Sequence, residues 1–149
     1  MAAERFGLDS NVLVYLADGR DPKRQGRARE IVARAGTTGR CLLSVQCLGE
    51  FYVVALRKGL AAQAAVDDLA TLFPIASPTA ADARAAVAAA VAGRFSYWDA
   101  LLLATLGRAG CAVVLSEHMH DGATFAGVTV RDPFAGERLP GDLEALLNA

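Results

Sequence analysis

Five acidic residues stand where short apolar runs end or helices begin: Asp9, Glu50, Asp99, Glu117 and Asp121. Carboxylates brought close together repel, and some keep their protons unless a cation compensates. Hard oxygen donors suit Mg²⁺ or Mn²⁺, and no Cys or His spacing nearby suggests a softer site. One or two such ions activate water and stabilise the leaving oxygen when a phosphodiester is hydrolysed. His118 and His120 read as loop histidines, since nothing beside them completes a zinc set. Whether the acids meet depends on the elements that carry them.

Phe6 to Leu8 reads as a short strand ending at Asp9, followed by a helix with Ser10 or Asn11 near its N-cap. Pro22 suits the first position of a second helix, expected to reach about Ala35, with Ala28, Ile31, Val32 and Ala35 on its apolar face. Arg40 to Ser44 is a buried-type strand. The helix after it, about Val45 to Arg57, carries Gln46 and Glu50 four apart and so on one face. A helix over 61–73 is stopped by Pro74, which leaves only a brief strand at 75–77. Thr79 caps an Ala-rich helix that runs to Ala92. In the stretch R-F-S-Y-W-D-A-L-L-L-A-T, Ser96 reads as an N-cap and Asp99 as a first-turn acid. Tyr97 and Trp98 are expected to pack as anchors of that helix. Cys111 to Leu115 is the clearest buried strand, a loop follows from Ser116 to Gly122, and Val128 to Val130 is a last short strand. A short terminal helix is expected over 142–147.

Strands alternating with helices imply an α/β fold: a three-layer α/β/α sandwich around a mostly parallel sheet. Ligands of such sheets bind at the carboxyl ends of the strands. Asp9 follows the first strand, Glu50 lies little more than one turn beyond the second, and Ser116, Glu117 and Asp121 follow the Cys111–Leu115 strand. Asp99 opens the helix leading into that strand. The acids therefore converge on one edge.

The chain has 149 residues, 54% of them hydrophobic, which fits one domain over 1–149 with its core at about 5–134 and a tail at 135–149. Its net charge of −1 hides an asymmetry. Arg20, Lys23, Arg24, Arg27, Arg29, Arg34 and Arg40 make the segment 20–40 carry +5 and leave −6 elsewhere. A basic patch beside an acidic edge suggests a polyanion held by phosphate contacts. Cys41, Cys47 and Cys111 lack any C-x-x-C spacing, which argues for a reducing compartment. The terminus M-A-A-E-R-F has no apolar leader segment and no run approaches a bilayer span, so a cytoplasmic location is expected. No P-loop, G-x-G-x-x-G or G-x-S-x-G motif occurs. Carboxylates and bases together point to a metal-dependent nuclease.

Five stretches in order, L-D-S-N-V-L-V-Y, S-V-Q-C-L-G-E-F-Y, F-S-Y-W-D-A-L-L-L-A, L-S-E-H-M-H-D-G and D-P-F, resemble the PIN-domain ribonucleases. The match is closest to the toxins of VapBC-type toxin–antitoxin modules and spans Phe6 to Phe134. The resemblance implies a Mg²⁺- or Mn²⁺-dependent endoribonuclease, a homodimer held by an antitoxin protein, with DNA reached only through that antitoxin. It implies Asp9, Glu50 and Asp99 as metal ligands, with Ser10, Asn11 and Ser44 orienting carboxylates or phosphate. Where similar toxins read S-E-D, this chain has His118 in third place. Glu117 or Asp121 is the expected substitute, supporting a second ion or a water, or His118 itself takes that role. Arg94 is expected to offset charge on the phosphate. The alternative is a catalytically decayed PIN-like module that binds RNA or a protein.

Overall fold

The computed structural model describes residues 4–148. The leader reading of the M-A-A-E-R-F terminus falls partly on residues 1–3, outside that range. Its elements are β1 (Arg5–Leu8), α1 (Ser10–Ala17), α2 (Pro22–Thr38), β2 (Cys41–Ser44), α3 (Val45–Arg57), α4 (Ala62–Leu72), β3 (Ile75–Ala76), α5 (Ala80–Val91), α6 (Tyr97–Arg108), β4 (Cys111–Leu115), β5 (Thr124–Phe125), β6 (Val128–Arg131) and α7 (Gly141–Leu147). The sheet has six strands in the order β3-β2-β1-β4-β6-β5. All neighbours are parallel except β5, which pairs antiparallel with β6. The expected mostly parallel sheet between helical layers is what the chain forms.

From β1 the chain winds outward through β2 to β3, then crosses back to β4 on the other side of β1. The order reverses between β1 and β4, so a crevice opens there at the strands' carboxyl ends. Phe6 and Leu8 on β1 are fully buried. Gly7, between them, points the opposite way, toward α6. A Cβ on Gly7 would lie 2.5 Å from Leu106 Cδ1, so glycine lets the helix settle onto the central strand. Helix α6 is buried from Ala100 to Leu106 and packs against β2, β4, β5 and β6. Small residues bring α5 close to it, with Ala86 and Ala89 against Ala100 and Leu101. Helix α2 buries Ala28, Ile31, Val32 and Ala35, the face its spacing predicts. Helix α7 packs on α2 and buries Leu143 and Leu147 in the main core.

Four expectations need correction. Asp9 itself, not Ser10 or Asn11, is the N-cap of α1, because its carboxylate accepts from Ser10 N–H. Helix α2 runs three residues past Ala35, through Gly36 to Thr38, and ends at Gly39 in the left-handed region. Strand β5 has no counterpart in the sequence reading. It forms a tight hairpin with β6 across Ala126 and Gly127, both at positive φ (54° and 76°), as such two-residue turns require. Trp98 is no anchor: it is 61% exposed.

The basic patch is also different in kind. Arg20 pairs with Asp18, Arg24 with Asp21 and Glu117, and Arg34 with Glu30 and Glu144. Arg27 donates to the carbonyls of Pro133, Gly136 and Glu137, and Arg40 to those of Glu4, Leu146 and Asn148. Arg27 and Arg34 thus tie the C-terminal segment to α2, Arg40 ties it to the start of β2, and Arg20 and Arg24 are paired with acids, so five of the seven cations are already engaged.

Candidate metal-binding carboxylate site

Asp9 leaves β1 at the crevice and is 7% exposed. Its backbone N–H donates to Leu115 O at 2.9 Å, which locks the two central strand ends together. Its carboxylate is surrounded by donors. Oδ1 accepts from Ser10 N at 2.7 Å, and Oδ2 accepts from Ser116 Oγ at 2.7 Å and Asn11 Nδ2 at 3.1 Å. Asn11 is itself saturated: its second N–H reaches Ser116 Oγ at 3.2 Å, and its Oδ1 accepts from Glu117 N at 3.1 Å. The buried thiol of Cys47 donates weakly to Asp9 Oδ1 at 3.9 Å. Burial, and then the charge of Asp9, push the Cys47 pKa up, so this sulfur stays protonated and is no thiolate ligand.

Glu50, exposed on α3, is joined to Asp9 through one hydroxyl. Ser10 Oγ donates to Glu50 Oε2 at 2.7 Å, and Gln46 Nε2 donates to Oε1 at 2.9 Å. Ser44 is buried and acts one step back: its Oγ caps α3 by accepting from Cys47 N at 3.1 Å. Asp99 sits in the first turn of α6, fixed by Ser96 Oγ accepting its N–H at 3.1 Å. Burial raises the Asp9 pKa above 3.8 despite the hydrogen bonds, and the nearby charges of Asp99 and Glu50 raise it further. Asp99 and Glu50 are thus near enough for their charges to be felt at Asp9, and Glu50 is also linked to it through the Ser10 hydroxyl.

Among the described residues, none of the three has a salt-bridge partner. A buried carboxylate with no internal cation, Asp9, with the carboxylates of Glu50 and Asp99 near it, fits a hard divalent ion, which takes oxygen ligands. No three His, Cys, Asp or Glu side chains among the described residues already close around a point. Mg²⁺ does not demand such a cage, since it keeps waters and takes one or two carboxylates beside substrate phosphate.

The remaining residues go elsewhere. The Glu117 carboxylate accepts from Arg24 Nε at 2.9 Å and Tyr15 Oη at 3.3 Å. Asp121 accepts from Asp132 N and Arg131 Nε, both at 3.0 Å, which hold its carboxyl below the usual range. The structure does not bring either carboxylate to Asp9. His118 is exposed, and its backbone N–H donates to Ser116 Oγ at 3.2 Å. Arg94 donates to Thr124 O and lies over the Phe125 ring, so it braces β5 and does not point to the acids. Sequence reasoning placed Ser116 after β4 without a role, yet its hydroxyl is the hub of the cluster. The signal was available: a serine at the carboxyl end of the strand neighbouring β1.

With this geometry, relatives can be weighed. No curated protein matches the chain. Among solved structures, the VapC20 toxin of Mycobacterium tuberculosis, described as cleaving the sarcin–ricin loop, superposes with a TM-score of 0.60. It shares 20% identity, over 83% of this chain and 98% of that one, a likeness of fold. A family model of the PIN domain matches residues 7–118, which takes in β1 through the loop after β4 and so Asp9, Glu50, Asp99 and Ser116. That span is most of the sequence, and the chain belongs to the PIN-domain family.

Proposed function

We propose that the protein is a Mg²⁺- or Mn²⁺-dependent endoribonuclease, the toxin of a toxin–antitoxin pair. The observation that carries this is Asp9: buried at the strand end, without a cation partner among the described residues, and linked through the Ser10 hydroxyl to Glu50. A divalent ion at these carboxylates supplies the charge that activates water and offsets charge on the phosphodiester. Asp9 is the fixed ligand, held by Ser10, Asn11 and Ser116 so that it cannot turn away. Asp99 is presented by the rigid first turn of α6. Glu50, tethered through Ser10 and Gln46, completes the set or accepts a proton from water at the open side.

The same reading makes structured RNA the substrate and a cognate protein the inhibitor, within the cytoplasm. An acidic site accepts an Arg side chain well. Tyr52, Val53, Leu56 and Leu60, exposed along and just beyond α3, offer apolar surface to an antitoxin or a second copy.

Asp99→Asn should abolish Mn²⁺-dependent cleavage of structured RNA while circular dichroism stays native. Retained cleavage, after contaminating nuclease has been removed, overturns the assignment. The engagement of Glu117 with Arg24, together with His118 in the place of an acid, favours one competing reading, a decayed module that binds RNA without cutting it. Calorimetry separates the two: the nuclease binds Mn²⁺, whereas the module does not, and its RNA affinity ignores a chelator.

A further inference from the structure

The sole tryptophan lies at the site and not in the core. Trp98 immediately precedes Asp99, is 61% exposed, and lines an open cavity of 430 Å³ whose other walls are Gln46 and Glu50. Leaving so large an apolar surface in water forgoes the stabilisation that burial gives an indole in a core. The side chain is nonetheless ordered by its neighbour. The Tyr97 ring meets it edge-on, with centroids 4.9 Å apart and planes at 78°.

The chemistry of the cavity is selective. No Lys or Arg lines it, so it is no phosphate pocket; a carboxylate and an amide flank one flat aromatic face. Glu50, in the same wall, is one hydroxyl away from Asp9. Trp98 adjoins Asp99 in sequence and shares its cavity with Glu50, so an RNA whose scissile phosphate docks at this cluster brings its own nucleotide, or the next one, beside the indole. A planar, uncharged, partly apolar group fits that face, and every nucleobase has one.

We propose that Trp98 is the stacking platform for the nucleobase beside the scissile phosphate. The proposal rests on the RNA-hydrolysis reading above and adds to it the group that recognises a base, where the carboxylates deal only with phosphate. Stacking of this kind tolerates every base and favours unpaired ones, so Trp98 selects for a nucleotide splayed out of its helix.

Because there is one tryptophan, its emission reports this residue alone. In full-length Asp99→Asn protein, a single-stranded oligoribonucleotide should quench the emission as it binds, with binding followed independently by the anisotropy of a label on the RNA. An oligomer with abasic positions should bind through its phosphates with little quenching. In the otherwise native protein, Trp98→Ala should raise KM for RNA about five- to a hundredfold with kcat changed little, and Trp98→Phe should recover most of the loss. Emission unchanged at RNA saturation, or a Trp98→Ala KM within twofold of native, overturns the platform. If native protein still cleaves in that case, the nuclease reading stands alone; if it neither cleaves nor binds RNA, both fall. A blue shift that follows protein concentration and ignores RNA places Trp98 between two copies of the chain and also overturns the platform.

Discussion

The segments that leave β1 and β4 start from adjacent parallel strands at the same edge of the sheet, and each carries an acid. Asp9, after β1, meets a peptide N–H, a serine hydroxyl and an amide, with no cation. Glu117, after β4, meets the Arg24 guanidinium and the Tyr15 hydroxyl. Neutral donors hold a carboxylate in place and leave its charge available, whereas a guanidinium holds it and cancels the charge. Proximity to the crevice therefore does not make a ligand. The neighbours decide, and those of Asp9 come from two stretches of chain far apart in sequence, Ser10–Asn11 and Ser116.

If neutral donors are what make the β1 side a ligand, removing one should weaken the ion without unfolding the protein. Ser116→Ala is the sharpest such change. It deletes the 2.7 Å donation to Asp9 Oδ2 and removes the acceptor of the His118 N–H and of one Asn11 N–H, while the other Asn11 N–H keeps Asp9 Oδ2. Partners that orient a ligand are typically worth 10–100-fold in metal affinity or activity. Mn²⁺ titration by calorimetry should show a loss of about that size, smaller than the loss of cleavage in Asp99→Asn. An unchanged Mn²⁺ affinity would mean that Asp9 does not hold the ion.

The free charge of Asp9 should also appear in stability against pH. Its pKa is raised above 3.8 by burial, so in the ion-free protein the folded state holds a proton that the unfolded chain has released. Stability therefore falls as pH rises from about 4 through the raised value. Asp18, Asp21, Asp82 and Asp121 have lowered pKa values, so their contributions are complete above 3.8 and are lost only in acid. In chelator, Tm should decline as pH rises above about 4. Mn²⁺ should flatten that decline, and Asp9→Asn should remove it. A decline that survives in Asp9→Asn would show that another group causes it.

The frame of the molecule was readable from local pattern. Apolar runs such as Cys111–Leu115, the buried stripe of α2 and the capping box Thr79–Asp82 are written in a few consecutive residues. Even Asp99 is local, since a serine three residues ahead marks the helix start. What stayed hidden depends on partners distant in sequence. Asp9 and Ser116 are 107 residues apart. Arg27 looked free because the carbonyls it serves lie beyond residue 130. Strand β5 was missed because its turn is Ala126–Gly127 in place of Asn-Gly, with an alanine accepting the left-handed backbone. Tryptophan is usually well buried, so its type alone predicts an anchor at Trp98. Its exposure follows from the face of α6 it occupies, since burial begins only at Ala100.

The weakest effect tests the comparison from the β4 side. Arg24 and Glu117 are 39% and 21% exposed, so water screens their pair, and its loss should cost about 1 kcal/mol at most. Glu117→Gln keeps a side chain that can bond to Tyr15 and removes the charge. If Glu117 is structural, cleavage should stay within about threefold of native, and a double-mutant cycle with Arg24→Ala should show coupling in Tm and none in kcat/KM. If cleavage and Mn²⁺ affinity instead fall together while Tm is unmoved, Glu117 leaves Arg24 when the ion or RNA arrives. Arg24 would then be the residue that holds the fourth acid back, and the two strand ends would differ in when they release charge and not in whether they have it.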